Sequence, residues 1–209
     1  MLKEPEYMTK INAKIMEMQE IVESVGEQVQ DALKNKRNGL KPVASELCRE
    51  AQVKEELIVE MCVESIIRYQ PFASDLRAVT VAMKVSYDLS RVCRYLRNIT
   101  EILDEFNIKS CKVKEVCELL KDAREMVRQS LKYYFEKDHR AAANLIKSDE
   151  SIDERYRMIL KSYATKKVSG TCILFNGITA RIVERMADHA CYISHETIYL
   201  VTGRRTDYR

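Results

Sequence analysis

Long runs of apolar residues spaced three and four apart, with very few helix breakers between them, constrain this chain more than any other feature. The first run carries Ile11, Ile15, Met18, Val22 and Val25, and this spacing places one apolar stripe on one face of a helix. The 209 residues include only 5 Gly and 3 Pro, so few positions favour turns. The sequence therefore predicts an all-α fold of long helices.

Breaks in the periodicity divide the chain into six helices. The predicted spans are 8–34, about 42–69, 72–106, 113–134, 140–164 and 167–201. Pro71 is predicted to open the third helix, and the polar residues 137–139 separate the fourth from the fifth. Helices of about 25 to 35 residues are typical of helical bundles.

The charge is nearly balanced, with 35 Lys and Arg against 32 Asp and Glu. A net charge of +3 predicts no general affinity for nucleic acid or membranes, so any electrostatic partner would bind a local patch. Residues 1–14 lack the apolar core of a signal peptide, and no apolar run approaches the ~18 residues of a membrane span. We expect a cytoplasmic protein.

The cysteine pattern agrees with a reducing compartment. Seven cysteines contain no CxxC pair, and an odd number cannot all pair within one chain. We expect reduced thiols that act as small core residues, with a structural zinc site as the alternative. These residues are Cys48, Cys62, Cys93, Cys111, Cys117, Cys172 and Cys191.

An internal repeat divides the six helices into two sets of three. Segments 88–92 and 182–186 align at an offset of 94 residues (184 minus 90), and Ile99 then meets Ile193. The predicted organisation is one three-helix bundle at 8–106, a second at 110–203, and a basic tail at 204–209 that contains Arg204, Arg205 and Arg209.

Separated motifs in both halves resemble the PhoU family. In the first half they are QPFASDLR at 70–77 and KVSYDL at 84–89; in the second they are LIKSDESID at 145–153, ERMADHA at 184–190 and IYLVTG at 198–203. The resemblance spans nearly the whole chain, from about Met8 to Gly203. It implies two similar three-helix bundles, often dimeric, which bind multinuclear iron or zinc clusters through E(D)xxxD motifs.

The same resemblance implies a regulator of phosphate uptake. Its members modulate the phosphate-specific ABC transporter and are linked to the phosphate-sensing histidine kinase, restraining uptake and signalling when phosphate is plentiful. The expected partners are therefore the transporter ATPase, the sensor kinase or both, with membrane complexes contacted only peripherally.

Four carboxylates form the predicted metal site. Asp149 and Asp153 are four residues apart on one helix, as are Glu184 and Asp188 on another, so each pair shares a face and its charges repel. A hard or borderline cation bridging two packed helices would relieve that repulsion; a solvated acidic face is the alternative. His195 lies on nearly the same face as Asp188 and is left outside the site.

The first half departs from this pattern. Ser90 and Arg94 occupy the positions that match Glu184 and Asp188, so we expect no metal there. Glu46, Glu50 and Asp75 lie nearby without restoring the motif. Three arginines, Arg91, Arg94 and Arg97, make the segment basic. They form either a solvated face, an altered partner surface, or a guanidinium group in the space of a cation.

The sequence offers no enzymatic signature. It contains no glycine-rich phosphate loop, GxSxG or HExxH motif. A regulator without turnover is the first hypothesis. The alternatives are a metal-free scaffold and, less favoured, a carboxylate-bridged metalloenzyme, for which Glu-x-x-His spacing is missing.

Overall fold

The computed structural model describes residues 5–165 and 168–205 and contains six helices over that part of the chain. Their bounds are α1 Glu6–Asn35, α2 Lys41–Tyr69, α3 Ser74–Glu105, α4 Lys114–Glu136, α5 His139–Thr165 and α6 Gly170–Thr202. The prediction of an all-α chain of long helices is confirmed. The predicted sixth helix began at Lys167, which lies outside the described residues, and α6 is described from Gly170.

Matching turns end the first helix of each half. Lys36 after α1 and Lys137 after α4 both adopt left-handed backbone conformation, with φ of 53° and 55°. The amide of Arg37 donates to the Ala32 carbonyl, and that of Asp138 donates to the Tyr133 carbonyl, each at 2.9 Å. Such bonds satisfy carbonyls at a helix end that have no partner within the helix. The two halves therefore repeat a local structure as well as an apolar pattern.

The turn between α2 and α3 differs from the prediction that Pro71 opens the third helix. Helix α3 begins three residues later, at Ser74. Gln70 and Ala73 have positive φ values of 45° and 42°, which L-residues rarely adopt. Proline disfavours right-handed helical conformation in the residue before it, so α2 ends at Tyr69 and Gln70 is left-handed. Phe72, at the tip, is 83% exposed.

Apolar faces hold each set of three helices together. Within the first set α1, α2 and α3 contact one another, and within the second α4, α5 and α6 do so. Across the halves, α3 packs on α6 and α1 packs on α4. Buried residues of both halves form one continuous core that includes Ile15, Leu96, Leu119 and Phe175. The fold is therefore two similar three-helix bundles that share a core.

A disulfide between Cys111 and Cys172 corrects the expectation of seven reduced thiols. The two cysteines are 61 residues apart in sequence, but folding places the linker after α3 beside the start of α6. Their Cα atoms are 5.3 Å apart, which suits a disulfide. The remaining cysteines are free, and all but Cys117 are buried, as expected of small core residues.

The described part of the chain includes no helix that is both long and apolar enough to cross a membrane.

Candidate functional site

The four predicted metal-site carboxylates come together where α5 packs against α6. Asp149 and Asp153 lie on α5, and Glu184 and Asp188 lie on α6. Asp149 is close enough to Asp153 and Asp188 for their charges to raise its pKa, and Asp153 and Asp188 act in the same way on Glu184. We call these four residues the carboxylate cluster. Its two pairs are on different helices, so they are brought together by the packing of α5 on α6.

Two carboxyl groups of the cluster each place an oxygen in the interior without a hydrogen-bond partner among the described residues. These atoms are Asp149 Oδ1 and Glu184 Oε2. Burial, followed by repulsion from Asp188 and Asp153, raises the pKa of Asp149 from 3.8 to about 6. Burial and Asp188 likewise raise the pKa of Glu184. A buried oxygen without a partner is costly, so both groups would gain from a proton or a cation.

Asp188 and the nearby thiol of Cys191 also have raised pKa values. Burial also raises the pKa of Asp188, against the opposing effect of Arg185. The Cys191 thiol, which is 6% exposed, donates a hydrogen bond to Asp149. Burial and the nearby carboxylates raise the pKa of this thiol, so it is protonated at neutral pH. The cluster thus contains a thiol that could become a further ligand only by losing its proton.

Arginines neutralise three members of the carboxylate cluster. Arg181 Nη1 lies 2.5 Å from Glu184 Oε1, Arg157 Nη2 lies 3.1 Å from Asp153 Oδ2, and Arg185 Nη1 lies 3.9 Å from Asp188 Oδ2. All three arginine side chains are about half exposed or more, at 49%, 60% and 48% respectively. They can therefore swing away without opening the core.

The present side-chain positions do not form a closed metal centre. In residues 5–165 and 168–205, no three His, Cys, Asp or Glu side chains are grouped closely enough to hold a metal ion. The donor types and the buried oxygens fit a hard or borderline cation. The geometry would fit one only after the arginines move and the carboxylates converge.

Among the described residues of the first half, the region that matches the carboxylate cluster has no comparable group of acids. Ser90 is buried at 6% exposure, and Arg94 is exposed. Glu46 pairs with Arg49 at 2.6 Å, and Glu50 lies 3.8 Å from Lys54. Both carboxylates therefore already form ion pairs with bases of their own helix.

Basic and thiol groups lie close to Ser90 and Arg94, which replace the acidic motif in the first repeat. Cys48 Sγ donates to the Cys93 carbonyl at 2.9 Å. A separate hydrogen bond from the Cys93 thiol, followed by the positive charges of Arg97 and Arg94, lowers the pKa of Cys48 against the effect of its burial. Arg91 stacks over the Tyr95 ring at 5.3 Å. The arginines of this segment thus serve local contacts within and around α3.

The contact between α3 and α6, which we call the seam between the halves, contains a buried hydrogen-bonded pair that sequence reasoning missed. His189 Nδ1 on α6 lies 2.7 Å from Asp88 Oδ1 on α3, and both residues are buried, at 7% and 6% exposure. Burial raises the pKa of Asp88, while His189 opposes that change. Asp88 lies in the motif at 84–89 and His189 in the motif at 184–190, 101 positions apart in different repeats, and nothing in their spacing links the two.

A second polar contact lies along the same seam. Lys84 Nζ donates to Glu196 Oε1 at 2.6 Å, and Glu196 is 2% exposed. Arg205 of the predicted tail also approaches Glu196, at 3.4 Å, and its guanidinium lies 4.2 Å from the centre of the Tyr199 ring. Arg205 is therefore anchored to α6, whereas Arg209 lies outside the described residues. His195 is buried, and that burial lowers its pKa.

Comparison with protein families identifies both halves. The family model described as the PhoU domain matches residues 15–103 and 116–197. The match therefore covers the two bundles separately and includes the α5 and α6 segments that carry the carboxylate cluster.

Individual relatives match most of the chain. The Thermotoga maritima protein called phosphate-specific transport system accessory protein PhoU homolog 1 is 29% identical over 190 residues, which cover 86% of this chain and 82% of that protein. The homolog from Synechocystis sp. is 28% identical over 204 residues, covering 95% of this chain and 91% of the relative.

Solved structures share the fold at low sequence identity. PhoU from Pseudomonas aeruginosa superposes with a TM-score of 0.86 at 24% identity, covering 95% of this chain and 98% of the other. The phosphate transport system regulatory protein PhoU from Streptococcus pneumoniae gives 0.89 at 19% identity, covering 96% and 97%. At these identities the likeness shows the arrangement of helices alone.

Proposed function

The chain belongs to the PhoU family, and from that membership we propose that it is an accessory protein that regulates phosphate transport. The observation that carries the proposal is the family match over both repeats, at residues 15–103 and 116–197. Relatives that align with 86% and 95% of this chain are named as accessory proteins of the phosphate-specific transport system. Those names describe an accessory role.

The mode of action in this proposal is binding, in the cytoplasm and without turnover. The protein docks on the ATPase of a phosphate ABC transporter, on a phosphate-sensing histidine kinase, or on both, and restrains uptake and starvation signalling when phosphate is plentiful. It contacts membrane complexes only peripherally and acts as a homodimer. Long helices joined by short turns offer extended rigid faces for such contacts.

Deletion of the gene and recovery of bound proteins test this function together. Cells without the protein should take up phosphate faster, or express starvation genes, in phosphate-rich medium. Crosslinking in the same medium should recover a phosphate transporter ATPase or sensor kinase. Unchanged uptake in the deletion strain, or partners unrelated to phosphate, would contradict the proposal.

A metal ion in the second repeat forms the further part of the proposal. Asp149, Asp153, Glu184 and Asp188 would hold iron or zinc as a multinuclear cluster, with the arginines displaced to the rim. Support comes from the two buried oxygens without partners and from the raised pKa values of Asp149 and Glu184. Bound metal would neutralise the cluster and fix α5 against α6.

Elemental analysis of matched variants tests the metal proposal. Glu184→Ala with Asp188→Ala should remove most of the iron or zinc, because it halves the set of carboxylates. Glu150→Ala with Glu154→Ala, on exposed positions of α5, is the control and should retain the metal. Ser90→Glu with Arg94→Asp tests whether one restored carboxylate pair is enough to create a second site in the first repeat. Metal that is undiminished in the first variant would refute the assignment.

A metal-free scaffold is the second candidate function. It is favoured by the three arginines that already pair with Asp153, Glu184 and Asp188. Wild-type protein purified anaerobically with iron and zinc supplied would then contain neither metal but would still recover the phosphate-related partners. Turnover of a small substrate by metal-loaded protein would instead support the metalloenzyme alternative.

A further inference from the structure

A cleft at the junction of the two repeats collects an unusual number of positive charges. It has a volume of about 720 Å³ and lies between the end of α1, the linker after α3 and the first turns of α4. Five lysines line it, two from α1 and its C-terminal turn, one from the linker and two from α4. They are Lys34, Lys36, Lys112, Lys114 and Lys121, and we call this group the lysine cleft.

The positive charge of the lysine cleft is poorly compensated. Glu118 is the acidic residue of its lining, and it lies 3.8 Å from Lys114. Lys36 Nζ donates to the Lys109 carbonyl at 2.7 Å, a contact that leaves its charge in place. Within the residues that the structure describes, Lys34, Lys112 and Lys121 form no direct ion pair with a carboxylate, although the charge of Lys121 lowers the pKa of Glu125 on the same helix. Lysines elsewhere, such as Lys54 and Lys84, do pair with acids. Like charges gathered in this way repel one another unless an anion joins them.

The linker that supplies part of the cleft is held rigidly. Ile108, Cys111 and Val113 are buried at 1%, 1% and 7% exposure. Lys112 between them is exposed. The disulfide from Cys111 to Cys172 ties the linker to the start of α6. A binding loop that is already ordered loses less entropy when a ligand arrives.

The first turn of α4 adds to the positive potential. Its N-cap residue, Val113, provides no side-chain hydrogen bond to the turn. The amides of a helix N-terminus carry partial positive charge and bind phosphate groups readily. Lys112 and Lys114 flank the N-cap residue in sequence, and Glu115, the acidic residue of the same turn, offsets part of that potential.

We propose that the lysine cleft binds a small anion that carries two or more phosphate groups, such as a nucleoside triphosphate. Five ammonium groups exceed the charge that a single orthophosphate can neutralise, whereas linked phosphates can contact several lysines at once. The volume lies within the usual range of small-molecule sites. Val113 and Cys117 give the wall apolar surface for an organic body. No residue of the cleft belongs to the carboxylate cluster, so this site is independent of the proposed metal.

Calorimetric titration of the purified full-length protein, without reductant, tests the proposal. The probes are tripolyphosphate and ATP, with orthophosphate for comparison, in about 0.15 M salt and again in about 0.5 M salt. We expect one tripolyphosphate or ATP per chain, bound at least about tenfold more tightly than orthophosphate and weakened at the higher salt.

Two triple variants show whether the cleft is responsible. Lys34→Gln, Lys112→Gln and Lys121→Gln together should weaken tripolyphosphate binding about tenfold or more, because three unpaired charges are lost. Lys10→Gln, Lys132→Gln and Lys161→Gln remove the same charge from surface positions outside the cleft and should change it less than about twofold. Thermal unfolding verifies that both variants fold; if the first does not, Lys112→Gln alone should show a smaller loss in the same direction.

Three outcomes would overturn the inference. They are the absence of saturable binding of any probe, an equal loss in both triple variants, and binding to vesicles of anionic lipid without binding to the soluble anions. The last result would identify the lysines as a membrane-contact surface. All three are separate from phosphate uptake by deletion cells, so failure here leaves the proposed transport role untouched.

Discussion

At the scale of single residues, burial determines which charged groups matter. Asp88, His189 and Glu196 are less than a tenth exposed, whereas most ion pairs of the described chain lie on exposed helix faces. Exposed pairs contribute little because water screens them and their side chains lose freedom. Buried charges are costly to leave without a partner. The charged residues that most affect stability are therefore few and lie at the seam and in the carboxylate cluster.

Asp149 is expected to make stability depend on pH in chelator-treated protein. Because its pKa is raised from 3.8 to about 6, the folded state holds the proton more tightly than the unfolded chain. Stability should therefore fall as pH rises from about 4 to about 6 and stay low above that range. Asp149→Asn should raise the free energy of unfolding at pH 7 by about 1 kcal/mol, a value reduced for solvent screening.

Urea unfolding of wild type and Asp149→Asn at several pH values measures this difference. The gain from the substitution should shrink near pH 4 and disappear below about pH 3, where the wild-type carboxyl is protonated in both states. Glu154→Gln, at an exposed position of the same helix, is the control and should show no comparable gain. A stabilising effect that is larger at pH 4 than at pH 7 would contradict the assigned direction.

The buried pair of Asp88 and His189 should be strongly coupled. His189→Ala removes the partner 2.7 Å from the Asp88 carboxylate and should lower the free energy of unfolding by about 3 kcal/mol, because a buried carboxyl is left uncompensated. A double-mutant cycle with Asp88→Ala gives the coupling energy. The exposed pair of Glu6 and Lys10, at 2.8 Å, should show no measurable coupling in the same assay. Equal coupling for both pairs would refute a special role for the seam.

At the scale of elements, the helix ends and linkers deviate most from simple periodicity. Left-handed residues end α1 and α4 in the same way, and the α2–α3 turn places Ala73 at φ of 42°. The linker of residues 107–113 is short, has three buried side chains and carries one half of the disulfide. These connections set the angles between helices, and so they decide which faces of the two bundles meet.

Loss of the disulfide should loosen the linker and the start of α6. Cys111→Ser with Cys172→Ser opens a loop closed across 61 residues and should lower the free energy of unfolding by about 4 kcal/mol on the chain-entropy account. Guanidinium unfolding of oxidised, reduced and mutated protein measures the effect. Cys117→Ser, at a free and half-buried thiol, is the control and should change little. Equal stability of the oxidised and reduced wild type would show that the link adds nothing.

At the scale of the whole molecule, the two repeats form one packed body. Val92 and Leu96 of the first repeat and Val127 and Met186 of the second belong to the same continuous core. The seam adds the buried pair of Asp88 and His189. An isolated half would expose this surface to water, at a cost of roughly 25 cal/mol for each Å² of apolar area.

Unfolding should therefore be a single cooperative transition. Differential scanning calorimetry in chelator should give a calorimetric enthalpy close to the van't Hoff enthalpy, because neither repeat keeps its core without the other. Leu96→Asp, which places a charge in the shared core at a residue that is 1% exposed, should split or lower that transition. Two well-separated peaks in the wild type would show instead that the repeats unfold independently.

The sequence by itself determined the elements. Apolar spacing and the scarcity of glycine and proline predicted six helices, and their observed bounds differ by a few residues at the ends. Local periodicity is enough for this because each helix is stabilised by residues three and four positions apart. The motifs at 145–153 and 184–190 likewise located the acidic faces of α5 and α6 before their packing was known. Their role in binding metal stays a prediction.

Only the tertiary structure decided which distant groups meet. Packing of α5 on α6 united the carboxylates, whereas Arg181 and Arg185 pair with acids three residues along their own helix. Packing of α3 on α6 buried Asp88 against His189. Folding also joined Cys111 to Cys172 and gathered lysines from three segments into one cleft. Contacts of this kind depend on the crossing of helices and on the path of linkers. Such geometry leaves no periodic trace in the order of residues, so a single sequence could not reveal it.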